Sequence, residues 1–160
     1  MPRPERPTRL ERDMIRAVLS MQFGPEAAAI ADREDLMVVR SSTGRVRYVY
    51  VGSKLIGTIR ATDGRFVPTV AGGALLHELL PPGRLRVVAS KEAAEHVAHG
   101  RSLFCKHVVG ADPEIVRGEE VLVVDEEGRL LAVGKAALSG REMVEKNAGV
   151  AVKVRKGREG

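Results

Sequence analysis

The 160-residue chain has no tryptophan, one cysteine (Cys105), one asparagine (Asn147) and one glutamine (Gln22). Its aromatic residues are Phe23, Tyr48, Tyr50, Phe66 and Phe104. Each shortage excludes something. A lone thiol cannot form an internal disulfide, which fits a reducing compartment. So few rings cannot build a long base-stacking platform. No uncharged apolar run approaches the roughly 18 residues of a membrane span, so no membrane partner is expected. MPRPERPTRLER lacks the apolar core of a secretory signal, and the expected location is the cytoplasm. Scarce amides beside 29% charged residues match thermophile composition, because amides degrade when hot while ion-pair networks cost less there.

Catalytic motifs are also missing. No G-x-G-x-x-G, G-x-S-x-G or H-E-x-x-H occurs, and each of these places a phosphate, a nucleophile or a metal at a fixed spacing. GRLLAVGK (128–135) has five residues between its glycines instead of four. Ala136 stands where a P-loop hydroxyl would hold magnesium, and the segment lies in a hairpin. Glu119-Glu120 and Asp125-Glu126-Glu127 flank or form hairpin turns and read as solvated charges. No catalytic residue, cofactor or metal is expected.

What the chain does have is a net charge of +5 and a pI near 9.7. A basic domain is compatible with a polyanion, since phosphate contacts supply most non-specific nucleic-acid affinity. The basic residues are spread over both halves, so any footprint must come from folding.

Three prolines in residues 1–8 predict an extended, disordered lead-in. Leu10, Met14, Val18 and Met21 then recur at helical spacing, with Ile15 and Leu19 widening the stripe. Gly24-Pro25 interrupts it, and an alanine-rich helical piece follows to Ala31. LMVVR, VRYVYV, KLIGTIRA and RFVPTV are β-branched runs parted by STG, GS and DG turns, an antiparallel meander. GGALLHELL is a helix packing Leu75, Leu76, Leu79 and Leu80. Pro81-Pro82-Gly83 marks a domain boundary, because paired prolines remove donors and fix an extended backbone.

Beyond it come the strand LRVVA, a helix from Ser90 through Ala98, and the strand SLFCKHVV after Gly100. The loop ADPEIVRGEE leads into the hairpin VLVVDEEGRLLAVGKAAL. Ser139 and Glu142 form a capping box. The chain closes on GVAVKVR, with Lys153 and Arg155 on one face and Val150, Val152 and Val154 on the other. Many short strands with small helices predict a β-rich barrel or sandwich.

Two constellations carry the chemistry. Strand alternation puts Cys105 and His107 on one side of SLFCKHVV. A structural zinc would need about two further ligands, for which His77, His96 and His99 are the candidates without supporting spacing. A small buried thiol with a satisfied histidine is the simpler reading. Gly100-Arg101-Ser102 is the other constellation. A glycine between helix and strand permits positive φ and lets a ligand approach bare backbone. Arg101, Ser102, Phe104 and Lys106 could then hold phosphate, ribose and a base, as RNA recognition requires; a plain helix cap with surface charges is the alternative.

Residues 85–155 resemble a PUA domain. The resemblance rests on EHVAHGRSLFCKHV, on ADPEIVRGEEVLVVDEEGRLLAVGKAAL, and on LSGREMV followed by GVAVKVR. Upstream, QFG (22–24), STGRVRYV (42–49), LIGTIRATDGRFVPTV (55–70) and GGALL (72–76) resemble the domain preceding PUA in archaeal tRNA-guanine transglycosylase. The resemblance implies an α+β protein, a helix-and-antiparallel-meander domain followed by a PUA-type β-pseudobarrel. The expected divisions are a 1–8 lead-in, a 9–83 pre-PUA domain, an 84–156 PUA domain and a 157–160 tail.

It implies an RNA ligand, held by Gly100, Arg101, Ser102, Phe104, Lys106, Lys153 and Arg155. That family's chemistry lives in a barrel of roughly 250 residues with a cysteine-rich zinc site, and this chain has neither. The expected function is non-catalytic binding of tRNA or tRNA-like RNA near the acceptor stem, assisting tRNA modification beside a catalytic tRNA-modifying subunit. The alternatives are a ribosome- or translation-associated RNA-binding factor and a protein-interaction module without RNA affinity. Glu119 after glycine, Cys105, His107 and EKNAG (145–149) depart from the family pattern. Arg45 and Arg47 have no assigned role.

Overall fold

A computed structural model describes residues 2–160. Backbone packing divides the chain into two compact units, the first ending at Leu80 and the second spanning Pro81–Gly160. The double proline therefore opens the second unit, whereas the sequence reading puts the boundary after Gly83.

The first unit starts with α1 (Arg9–Phe23), capped by a box in which Thr8 and Glu11 satisfy each other's backbone N–H groups. A 3-10 helix (Pro25–Asp32) follows, then strands β1 (Leu36–Arg40), β2 (Val46–Val51), β3 (Lys54–Ile59) and β4 (Phe66–Pro68), and α2 (Val70–Leu79). The strands form an antiparallel meander in chain order, as the turn residues predict. Bare backbone sets the spacing of the layers. Gly57 lies under the Phe66 ring, and Gly72 lets α2 press on the Ile56 carbonyl. Phe66 also meets Phe23 edge-on at 6.2 Å between centroids. The chain's one glutamine, Gln22, brackets the Phe66 backbone, donating to its carbonyl at 2.9 Å and accepting from its N–H at 2.6 Å.

Helix α1 buries Ile15, Leu19 and Phe23. Leu10 and Met21, two of the four residues chosen for the core stripe, are instead 79% and 87% exposed. The helix is apolar over two adjoining faces, and the core takes the one a single residue round. In α2 the buried residues are Gly72, Gly73 and Leu76, with Leu80 just beyond; Leu75 and Leu79 are half-buried.

The first residues are pinned, not a free lead-in. Glu5 and Val38 exchange two backbone hydrogen bonds of 2.8 Å. Arg40 reaches Glu5 at 3.0 Å and clasps Glu11 with two bonds of 2.7 Å.

The second unit contains β5 (Arg86–Ala89), α3 (Lys91–Ala98), β6 (Leu103–Phe104), a 3-10 turn (Cys105–His107), β7 (Val108–Ala111), β8 (Glu120–Val124), β9 (Leu130–Ala136), α4 (Gly140–Glu145) and β10 (Val150–Gly157). One six-stranded sheet runs β6-β10-β9-β8-β5-β7. Its edges, β6 and β7, are consecutive in the chain. Residues 103–111 thus pair with β10 at one end and β5 at the other, so one continuous stretch of chain supplies both edge strands of a sheet that curls into a pseudobarrel. SLFCKHVV is therefore two strands about a corner. Leu103 and Cys105 are buried, while Phe104 and Lys106 are exposed. Past the corner the alternation lapses, with His107 half-buried and Val109 exposed.

The last residues are also held. Arg158 N–H donates to the Leu131 carbonyl and Glu159 N–H to the Ala98 carbonyl, both at 2.8 Å. Gly157 packs its backbone on Ala98 and Gly100, at the end of α3. The acidic turn departs from expectation too. Asp125 is 5% exposed, accepting from the N–H groups of Glu127 and Arg129 and from the Arg129 guanidinium. Burial pushes its carboxyl up, and the hydrogen bonds from Arg129 and Glu127 outweigh this and hold it below the usual range.

The Arg40 hydrogen bonds, with help from Thr8, hold Glu11 down to about 2 despite partial burial. A depressed folded value contributes stability above the ordinary carboxylate range that is lost on acidification through it. Resistance to urea should therefore fall between about pH 4.5 and 2. Glu11→Gln, which keeps the cap, should flatten this loss by about 1 kcal/mol after solvent screening. Equal acid sensitivity in both proteins would contradict the assignment. In a separate test, Gly157→Ala sets a methyl into the Ala98 carbonyl and should cost about 1–3 kcal/mol in urea unfolding. An unchanged midpoint would show that this contact yields.

Candidate nucleic-acid interface

Helix α3 buries Ala93, Val97 and Ala98. It ends at His99 in a Schellman motif, with Gly100 N–H donating to Val97 O at 2.9 Å and Arg101 N–H to His96 O at 3.0 Å. Gly100 sits at φ +101°, and the nearest atom to an added Cβ is 4.0 Å away. Backbone conformation, not lack of space, requires the glycine. The cap alone explains its presence.

Past this turn the face is set by β6 and β10. The Ser102 hydroxyl accepts from Val154 N–H at 3.2 Å, so it fastens the loop to β10. Phe104 lies opposite Val150 and is 47% exposed. Lys106 is exposed on the 3-10 turn, and Arg101 is exposed beside the cap. Neither has an ion-pair partner among the described residues.

On β10 a bulge between Val154 and Lys156 shifts the register against β9. The simple alternation predicted for GVAVKVR ends there, leaving Lys153, Arg155 and Lys156 all exposed. Arg155 reaches over β9 to Glu120 of β8 at 2.5 Å. Glu120 is 4% exposed, so this carboxylate is a buried partner and not a solvated turn charge. Arg155 thus has a structural duty that Lys153 does not share.

The strand register exposes a cation that the sequence reading passed over. Lys153 lies directly opposite Lys135 of β9, which in turn lies opposite Glu120. Directly opposed residues share a face, and like charges so placed repel. Lys135 is exposed, with its chain 4.0 Å from where a Gly118 Cβ would be. Its only signal in the sequence is an isolated charge within LLAVGKA, which register alone converts into a neighbour of Lys153. The row carries two lysines, Arg155 and one acid, an excess of positive charge at the surface.

The thiol constellation does not assemble. Cys105 is free and 3% exposed. His107 Nδ1 lies 3.3 Å from the Ser90 hydroxyl, and His99 Nδ1 lies 2.8 Å from the Glu95 carbonyl. His77 belongs to α2 in the first unit. Among the described residues no three His, Cys, Asp or Glu side chains gather as a metal site. No helix there is long and apolar enough to cross a membrane.

Comparison with known proteins gives this geometry its context. Residues 85–158 match the PUA domain, and residues 13–83 match the patch-forming domain C2 of tRNA-guanine transglycosylase. The tRNA-guanine(15) transglycosylase of Pyrococcus furiosus is 45% identical over 154 residues, covering 96% of this chain and 26% of that protein. The Thermoplasma volcanium enzyme is 42% identical over 148 residues, covering 92% and 23%. The chain thus spans about a quarter of the length of these curated relatives. A hypothetical protein from Pyrococcus horikoshii, known from its crystal structure, is 31% identical; the match covers 97% of this chain and 93% of that one, with a TM-score of 0.76. A conserved PUA-domain protein from Thermoplasma acidophilum shares the fold at 22% identity and a TM-score of 0.71. The chain belongs to the PUA-domain family, and ahead of its PUA domain it carries the patch-forming C2 domain of tRNA-guanine transglycosylase.

Proposed function

We propose that the protein binds structured RNA, preferentially tRNA or tRNA-like RNA near the acceptor stem, and that it does so without catalysing a reaction. The observation that carries this reading is a group of exposed cations with no ion-pair partner among the described residues, on the turn after α3, the 3-10 corner and the facing strands β9 and β10: Arg101, Lys106, Lys135 and Lys153. Charges that neutralise nothing within the fold are available to phosphates, whose contacts supply most RNA affinity and make it salt-dependent. Half-exposed Phe104 offers a ring to a ribose or terminal base. Relatives named for tRNA-guanine transglycosylation support tRNA as the RNA.

The parts divide by role. Gly100 shapes the turn, Ser102 ties it to the last strand, and Arg155 joins the surface while holding Glu120. In the curated relatives the matched region is about a quarter of the protein. The binding role proposed here would accordingly serve a catalytic tRNA-modifying subunit.

The test is binding to a tRNA acceptor minihelix across a salt series. The same minihelix without its 3′ single-stranded end and a DNA duplex of equal length are the controls. The intact RNA end should bind most tightly, and Lys153→Glu and Lys135→Glu should each reduce the salt slope by about 1. Arg155→Met is the internal contrast. It strands a buried carboxylate and should lower stability by about 1–3 kcal/mol, so lost binding in that variant does not identify a phosphate contact. Equal weak binding to all three nucleic acids would contradict the proposal, as would lysine variants that bind like the parent.

A further inference from the structure

The first unit has a groove that RNA binding by the second unit does not use. One wall is the outer stripe of α1: Leu10, Met14 and Val18, spaced four apart on one face. The other wall is the β1–β2 turn from Ser41 to Arg47 with the β3–β4 turn from Arg60 to Gly64. Ile59 and Val46 also line it, and the enclosed space is about 790 Å³. Leu10 at its end is 79% exposed, and Met21, 87% exposed, continues the same stripe along α1. Helix α1 therefore has a second apolar face that its own core does not cover.

The lining determines what fits. The apolar groups are aliphatic or thioether, and no aromatic ring is among them. A nucleobase finds no aromatic ring to stack on and no side-chain amide to read its edge, whereas branched aliphatic side chains fit the apolar floor. Methionine adapts to irregular partners of this kind. The charges at the rim are lopsided. Both acids are engaged, Glu11 by Arg40 and Asp63 by Arg60. Arg45 is exposed and Arg47 half-exposed, and neither has an ion-pair partner among the described residues. A second copy of this chain would bring its own arginines to the same edge, which complementarity disfavours.

We propose that this groove docks an amphipathic helix of a partner protein, with aliphatic anchors at i, i+3 or i+4, and i+7. Glutamates or aspartates flanking those anchors pair with Arg45 and Arg47. The STGRVR turn is then the charged lip of a protein-docking site, and the surplus apolar stripe of α1 is its floor.

The test uses the full chain and two synthetic helical peptides as probes. Both carry leucines at helical spacing; one has glutamates on its remaining faces and the other has lysines there. By fluorescence anisotropy the glutamate peptide should bind at least about tenfold more tightly, as complementary over repulsive charge requires. Leu10→Glu, an exposed position where folding is not at stake, should abolish that binding. Paired Arg45→Glu and Arg47→Glu should reverse the preference. Absent or equal binding of the two peptides would overturn the proposal. So would self-association lost in Leu10→Glu, which would assign the groove to a second copy, or weakened minihelix binding in that variant, which would assign it to RNA. The RNA reading rests on residues of the second unit and survives any of the peptide outcomes.

Discussion

The second unit depends on one stretch of chain serving as both edges of a single sheet. Residues 103–111 pair with the last strand through β6 and with the first through β7, turning between them in three residues of 3-10 helix. Without that stretch β10 and β5 would themselves be the edges, each a row of unpaired backbone groups. With it, the loop after α3 is brought beside β10, Ser102 bonding Val154 and Phe104 lying opposite Val150. The face proposed to contact RNA follows from that pairing. Cys105 follows from the same constraint: it sits buried at the corner, where a small apolar side chain fits.

Closure also explains why charge on this face is unevenly committed. Arg155, at a bulge, turns back over β9 to a buried carboxylate, whereas Lys135 and Lys153 stand opposed with no acid between them. An arginine suits the first task because its planar fork keeps its geometry on a carboxylate, and lysines would suit the proposed phosphate contacts as mobile point charges. Helix α1 makes a comparable division in the first unit. One apolar face goes to the core and its neighbour stays open beside Arg45 and Arg47, which have no ion-pair partner among the described residues.

Much of this was legible in the sequence. The meander followed from β-branched runs parted by glycine turns, and the PUA and C2 resemblances held over both halves of the chain. The misreadings share a cause: one-dimensional patterns do not state register. Ile15 and Leu10 both satisfy helical spacing, and only the packing of Phe23 on Phe66 decides which face turns inward. Period two put His107 and Val109 on the Cys105 face because nothing local announced the corner. Glu120 and Asp125 looked like turn charges, although each has an arginine partner and is buried. Glu5 looked disordered because its hydrogen bonds come from Val38, far along the chain. Lys135 was invisible as a site residue until strand pairing set it opposite Lys153.

The turn after α3, the 3-10 corner and the last two barrel strands are proposed to form one RNA-contacting face together. Amide NMR shifts recorded while an acceptor minihelix is titrated into the isotope-labelled protein test it most directly. Perturbations should concentrate at residues 100–106, around Lys135 and from Val152 through Lys156, and leave the β8–β9 turn at Asp125 untouched. Shifts centred elsewhere on the chain, or a spectrum unmoved by saturating minihelix, would contradict it.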